Sequence, residues 1–461
     1  MTQINYRLRV LESPEQVRDP PAVGMLHAAG MSIVMYYGIH FSRPGSSPLD
    51  EQAFPSITGE MSYSDRLSPH AGLHYSGLEP IGEIPARLVA ATGATEAGAV
   101  HRSFVWIDPA FAIMIVPVVF AVPQPYIDWP YIPIRQPLCV DDILGVMDLL
   151  AESSVVNELG RRATKGYPLA DITPIEQSMA IQLWDLDGSR IDGSQLRPDS
   201  PYRGLEETQQ YCWELSALLS FSTDHVVKDR LWLRRNPSQV FAEVAEAFAF
   251  FGDHAVFLNR NCCLEVSHLP IQLRERSRYR MRSYGYDSSS IFIWSLETLR
   301  WFVLSTLRSQ YKQRVLNLQS QKDLSAAART GLLQQRIQHG AVIDQLLAIY
   351  DHLKEPRLRA VAAEIDGLWT TDRIAHDTQQ EIDKSDALAA DLAKVREQAL
   401  ETRRNTLLGV VALALALLGI PSLVSQFGSW WDVKDWLGLS VSAGLMIVLL
   451  VVVALMVRRR E

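Results

Sequence analysis

The chain has 461 residues, of which 48% are hydrophobic and 21% are charged, and its formal net charge at pH 7 is −8. This length suffices for one large domain or two, and the acidic balance argues against direct binding to nucleic acid. The sequence contains no P-loop, GxGxxG, HExxH or GxSxG motif, so it does not indicate an enzyme.

Residues 1–285 contain short apolar runs broken by proline and glycine, a pattern typical of strands and turns. Ser32–Ile39 and Phe104–Ile107 predict buried strands, and Phe111–Val122 predicts a pair of them because Pro117 interrupts the run. Two helices and one strand are predicted further along, in the order Leu205–Phe221, Ser238–Phe251 and Ala255–Val266. The fold class expected for this cytosolic domain is α/β or α+β.

An arginine row lies close to the end of this domain. In an extended segment, alternate side chains point the same way, so these guanidinium groups would form one basic face. Guanidinium groups bind phosphate through forked, charge-assisted hydrogen bonds, which makes the row a candidate site for a nucleotide-like signal. A basic linker that pairs with acidic helices is the alternative. The row consists of Arg274, Arg276, Arg278, Arg280 and Arg282.

The remaining residues predict helices. Residues 286–356 predict two cytosolic helices, the first capped by serines at 288–290, and Pro356 suits the first position of the next helix. Residues 357–406 predict a long stalk, although the spacing of its apolar residues slips around Thr370–His376. A continuous helix from Arg357 to Phe427 would be about 105 Å long.

The stalk carries many more acidic than basic side chains between residues 364 and 401. Carboxylates bind hard cations, so a cluster of them around a symmetry axis is a candidate site for Mg²⁺ or another divalent cation. A solvated helix face with exposed ion pairs is the alternative. The candidate metal ligands are Asp366, Asp372, Asp377 and Asp383.

Two uncharged stretches follow, Leu407–Val424 with 18 residues and Leu437–Val457 with 21. A bilayer core requires roughly 20 apolar residues. We therefore expect two transmembrane helices at residues 407–427 and 437–457, with an outer loop at 428–436 and a basic tail at 458–461. Arginines lie before the first stretch and after the second, which indicates that both termini are cytoplasmic.

Small and polar residues recur every three or four positions along the first predicted span. Small side chains allow helices to approach closely in lipid, and polar ones require a partner or water. The stripe therefore predicts either a helix-packing seam or the lining of a central pore in a ring of copies. Its residues are Asn405, Gly409, Ala412, Ala416, Gly419, Ser422 and Gln426.

This layout resembles the CorA-like, two-transmembrane cation-transport family, in which an N-terminal α/β domain precedes a long stalk helix and two spans. Val105–Asp108 is similar to an early Trp-containing strand of that family. The resemblance implies a homo-oligomer, a pentamer, in the bacterial inner membrane. The family ends its first span with Tyr-Gly-Met-Asn at the pore mouth, where this chain has Phe427, Gly428, Ser429 and Trp430. We therefore do not expect a ring of Asn carbonyls that selects Mg²⁺.

Three functions remain open at this point. The first is an oligomeric cation channel or transporter gated by its cytosolic domain. The second follows from the resemblance, because variants of the family serve as membrane effectors in antiviral systems such as type III CRISPR loci: a nucleotide-like signal would bind in the cytosol and the membrane would be permeabilised. The third is a membrane-tethered scaffold without a pore.

Overall fold

The computed structural model describes residues 26–40, 71–75, 79–95, 98–108, 110–123, 131–151, 155, 157–159, 161, 171–186, 212–219, 235–251, 254–267, 289–431, 444 and 447. The chain divides into two compact units. The first comprises Met1–Gln310 and Ile337–Gln380, and the second comprises Tyr311–Arg336 and Glu381–Glu461.

The first unit contains a β-sheet. Its described strands lie in the order β2-β4-β5-β1-β8-β11-β10-β9, with β3 beside β4, β6 beside β5 and β7 beside β1. The β8–β11 and β5–β6 pairs are parallel, and the other pairs are antiparallel. The strands are β1 (His27–His40), β2 (His74–Tyr75), β3 (Glu79–Glu83), β4 (Ala99–Asp108), β5 (Phe111–Ala121), β6 (Ile132–Pro133), β7 (Leu138–Cys139), β8 (Asp171–Leu186), β9 (Phe248–Phe251), β10 (His254–Leu258) and β11 (Cys262–Ser267).

Strand β5 is buried along its whole length, which is expected of a central strand covered on both faces. The prediction that Pro117 divides this segment into two strands is wrong. Pro117 is paired with Val34 of β1, but on the opposite edge of β5 pairing with β4 reaches only Ile115 and pairing with β6 starts at Phe120, so Pro117 lies in a gap on that side. A residue without a backbone N–H is tolerated at such a gap.

Short helices cover one face of the sheet. Strand side chains alternate between faces, and Met31, Ile33 and Met35 of β1 belong to the apolar core on this side. Residues of the second and third helices, such as Met147 and Leu218, are fully buried in the same core. The helices are α1 (Ala86–Thr92), α2 (Val140–Ala151), α3 (Cys212–Leu219) and α4 (Pro237–Ala247).

Helix α5 (Ser289–Gln319) packs against the opposite face of the sheet through its first turns. The Tyr36 hydroxyl lies 3.0 Å from the Ser295 hydroxyl. A Cβ atom on Gly38 would lie 1.9 Å from the Phe302 ring. The missing side chain at Gly38 therefore sets how closely the helix approaches β1.

The predicted strand Ala255–Val266 is a hairpin of β10 and β11 instead. The Asn259 side chain forms the turn, because its Oδ1 accepts hydrogen bonds from the backbone N–H groups of Asn261 and Cys262 at 2.9 and 2.7 Å. Asparagine favours turns through such bonds to nearby backbone. The predicted helix Ser238–Phe251 is also shorter, since α4 ends at Ala247 and β9 follows.

Long helices form the rest of the described chain. A helix begins at Pro356, as predicted, but the expected continuous helix from Arg357 to Phe427 is broken at Thr370. The elements after α5 are α6 (Ala326–Ala348), a 3₁₀ helix (Ile349–His352), α7 (Pro356–Trp369) and α8 (Thr371–Trp431).

In the second unit, parts of α5, α6 and α8 pack side by side. Leu318, Leu324 and Ala389 form a small buried apolar cluster, and Arg336 binds Asp386 at 2.6 Å. None of the helices, as far as their residues are described, combines the length and the apolar character needed to cross a membrane. The predicted second span lies outside the described residues, apart from Gly444 and Ile447.

Candidate functional site at the break between two helices

Helices α7 and α8 are separated by a single residue, Thr370, which adopts the left-handed conformation with φ 53° and ψ 38°. Among the described residues, it is the one non-glycine residue with positive φ. Its N–H donates to the Asp366 carbonyl at 2.8 Å and closes α7. Its own carbonyl accepts from the Arg373 N–H at 3.0 Å and opens α8. This position usually holds glycine, since a β-branched side chain is strained there.

A fully buried carboxylate lies beside this break. The Glu297 side chain on α5 has no solvent exposure and accepts a hydrogen bond from the Arg300 guanidinium at 2.7 Å. It also accepts hydrogen bonds from the hydroxyls of Tyr350 and Thr371. Glu297 therefore connects α5 with the 3₁₀ helix and with the first residue of α8.

Arg300 contacts both sides of the break. Its guanidinium donates to Asp366 near the end of α7 at 2.8 Å and to Asp372 at the start of α8 at 3.4 Å. Its Nε donates to the Leu346 carbonyl at 3.1 Å, and the guanidinium lies 4.4 Å from the centre of the Tyr350 ring. Only 2% of the side chain is exposed. The Arg300 cluster, as we name it, consists of Glu297, Arg300, Tyr350, Asp366, Thr371 and Asp372.

Three carboxylates face one guanidinium in the Arg300 cluster, and Asp366 is the one whose pKa is clearly shifted. Burial raises the pKa of Asp366 to about 6; Arg300 opposes the shift, and Glu297 and Asp372 add to it. Burial also raises the pKa of Tyr350, as does the neighbouring Glu297. Burial is the largest single effect on the pKa of Arg300 and lowers it, but Glu297, Tyr350 and Asp366 together raise the pKa above its ordinary value, so the guanidinium stays charged.

A group of tryptophans holds the end of α7 against α5. The Trp369 ring meets the Trp294 ring edge to face at 5.1 Å and the Trp301 ring at 5.7 Å. Such pairs stabilise by about 0.5–1.5 kcal/mol beyond the area that they bury. Trp369 is the residue directly before the break. The helix end is therefore fixed by ring packing as well as by the Arg300 cluster.

The four predicted metal ligands all pair with arginines. Within the described part of the chain, no three or more His, Cys, Asp or Glu side chains are placed to hold a metal ion. The predicted site draws carboxylates from several copies around an axis, so it stays a prediction; within one chain the four carboxylates bind arginines on α5 and α6. Asp366 and Asp372 bind Arg300 at 2.8 and 3.4 Å, Asp377 binds Arg308 at 2.7 Å, and Asp383 lies 4.0 Å from Arg336.

The predicted pore stripe lies on α8. Asn405, Gly409, Ala412 and Ala416 are exposed residues. The backbone of Gly419, Ser422 and Gln426 continues the same helix, but the exposure of these residues lies outside what the structure describes.

The predicted pore-mouth residues Phe427–Trp430 are helical, so the outer loop does not begin at residue 428. This segment has no proline, and a single glycine does not end a helix. The arginine row Arg274–Arg282 lies outside the described residues.

No protein-family model matches the chain, and no curated protein matches it significantly.

Sequence reasoning did not identify Glu297, Arg300 or Thr370 as site residues. The available signal was the pair of opposite charges at positions i and i+3 inside Ile291–Val303, a segment otherwise dominated by apolar side chains. Charged residues are almost never fully buried unless they are paired. The arrangement can fix the direction in which α8 leaves α7, because one buried group binds residues on both sides of the break.

Proposed function

We propose that this chain is one subunit of a homo-oligomeric, CorA-like cation channel or transporter, pentameric by resemblance, in the bacterial inner membrane. The α/β domain and both termini are cytoplasmic in this proposal. The observation that carries it is the C-terminal part of α8, where apolar side chains are not covered by any described part of the chain. Leu407, Leu408, Leu413 and Leu415 are 50–64% exposed.

Exposed leucines in succession are unusual on a helix in water, because burying one such side chain contributes about 1.5–3 kcal/mol. Residues 405–431 of α8 correspond to about 40 Å of helix, which is more than the roughly 30 Å of a bilayer core. Arg403 and Arg404 lie directly before this segment and suit the cytoplasmic interface. Lipid is therefore the environment that best accounts for these side chains.

The small and polar stripe supports contact between copies. Among the described residues, and leaving aside the adjacent backbone of α8 itself, no atom lies within 4 Å of where a Cβ on Gly409 would be placed, so a neighbouring helix has room to approach it closely. Ala412 and Ala416 continue this small surface. In a ring of copies, the stripe would face the central axis while Leu407, on the opposite side of the helix, faces lipid and the other leucines flank the stripe.

The Arg300 cluster supports gating by the N-terminal domain. Helix α5 packs against β1 through Gly38 and Tyr36. The same helix binds the first residues of α8 through Glu297 and Arg300. A rearrangement of the sheet on ligand binding would thus reach the helix that lines the proposed pore. Gating then requires only that the ligand bind the protein more tightly in one position of that helix than in the other.

Flux of cations into liposomes tests the pore. Ala416→Trp places a large ring on the stripe and is expected to reduce flux at least tenfold without changing the size of the oligomer. Ala414→Trp is the matched control, because it makes the same substitution two residues away and about 160° around the helix. It is expected to retain most of the flux.

Equal flux in the two variants would refute the pore assignment. Intact oligomers of the unmodified protein that conduct no cation under any condition would favour the scaffold.

The signal-gated effector is the second candidate. Two observations support the effector. The chain resembles the family that includes such effectors, and Ser429 and Trp430 replace the Met and Asn of the selectivity motif. The same liposomes separate the two functions. Flux that begins only when nucleotides are added favours the effector, whereas flux of Mg²⁺ without them favours the transporter.

A further inference from the structure

The break at Thr370 is not explained by the local sequence. No proline occurs between Arg357 and Ile420, and Gly367 lies before the break in a regular part of α7. Threonine in the left-handed region is disfavoured by its branched Cβ. Local preference therefore favours a helix that continues through residue 370.

Contacts with α5 impose the break instead. Arg300 binds Asp366 before the break and Asp372 after it. In a continuous helix, two residues six positions apart point about 120° away from each other, so one guanidinium could not bind both. The bond from the Thr371 hydroxyl to Glu297 acts in the same direction. The tertiary structure and the local sequence thus favour two different conformations of the same segment.

We propose that Thr370 is a two-state hinge. In the kinked state, the Arg300 cluster holds α7 and α8 as separate helices. In the straight state, Arg300 releases one of the two aspartates, and α7 and α8 become one helix. The hinge rests on the proposed function in one respect, because α8 is taken to be the helix that enters the membrane. Its straightening would then be the movement that gates the pore.

The distance between spin labels on the two sides of the break tests the hinge in the full-length protein in detergent. Ala363 and Gln380 are exposed and lie outside the Arg300 cluster. Cys139 is the partly exposed cysteine among the four, so Cys139→Ser gives a suitable background for labelling Ala363→Cys and Gln380→Cys. In a continuous helix, these positions are separated by about 25 Å of rise, and the kinked state gives a shorter distance.

Two substitutions at Thr370 are expected to shift the distances in opposite directions. Thr370→Gly favours the kinked state because glycine adopts positive φ without strain, and Thr370→Ala favours the straight state because alanine is the best helix former. The ratio of the two populations should differ at least about tenfold between these variants. Arg300→Met should also increase the fraction of molecules that show the longer distance.

A single distance distribution shared by Thr370→Gly, Thr370→Ala and the unmodified protein would overturn the proposal, even if Arg300→Met does not fold. The outcome is independent of transport. Liposomes without cation flux would refute the proposed function while leaving a demonstrated hinge intact, and unchanged distances in a conducting protein would refute the hinge alone.

Discussion

Replacing Arg300 with methionine removes the only guanidinium of the Arg300 cluster while keeping a side chain of similar length. Glu297 would then be left fully buried without its cationic partner, and Asp366, 19% exposed, would lose its ion pair. Breaking a buried ion pair by removing one partner costs about 3–5 kcal/mol, because the remaining charge is uncompensated. We expect Arg300→Met to lower the free energy of unfolding by about this amount.

Arg308→Met is the matched control. Arg308 lies on the same helix and binds Asp377 of α8 at 2.7 Å, close to the 2.8 Å between Arg300 and Asp366, but 35% of its side chain is exposed. Exposed pairs contribute about 0–1 kcal/mol. Guanidinium unfolding of the full-length protein in detergent, followed by tryptophan fluorescence, measures both variants. Equal losses in the two variants would show that burial does not determine the strength of the Arg300 cluster.

Two further predictions concern pH and packing. Folding raises the pKa of Asp366 to about 6, so its protonated carboxyl stabilises the native state at acidic pH. This contribution to the free energy of unfolding is lost as the pH rises from about 4 to about 6. Asp366→Asn should therefore abolish that part of the pH dependence of the unfolding midpoint. Gly38→Ala should destabilise the protein by about 1–3 kcal/mol, because the added Cβ would lie 1.9 Å from the Phe302 ring. A Cβ on Gly145 of α2 would meet no described atom within 4 Å, so Gly145→Ala should instead stabilise the protein by about 0.5–1 kcal/mol. A neutral Gly38→Ala variant would refute the close approach of α5 to β1.

Alternating or continuous apolar residues were sufficient to predict the central strands. Ser32–Ile39 and Phe104–Ile107 lie within β1 and β4, and the mixed α/β class of the first unit is confirmed. The errors at Pro117 and Asn259 have one cause. Whether a proline is tolerated, or an asparagine forms a turn, depends on which strand pairs beside it, and a single sequence does not contain that information.

The Arg300 cluster could not be predicted because its members are far apart in sequence. Glu297 and Arg300 are separated from Thr371 and Asp372 by about 70 positions. The slip in apolar spacing around Thr370–His376 did mark the right region, but it indicates a local change of helix phase and not a break. The left-handed Thr370 follows from contacts with α5 and not from the residues on either side of it.

The composition of the Arg300 cluster bears on what it contributes. Well-packed apolar side chains in place of a buried ion pair often give equal or greater stability, so stability alone does not account for Glu297 and Arg300. Buried, hydrogen-bonded charges differ from apolar packing in specifying geometry, because each donor requires an acceptor in one direction. Here those directions place Asp366 and Asp372 on either side of a strained residue. We infer that the cluster holds α8 in one orientation and that this orientation strains the backbone at Thr370. A helix that switches between two positions requires such a strained state, because releasing the contacts then favours the other position.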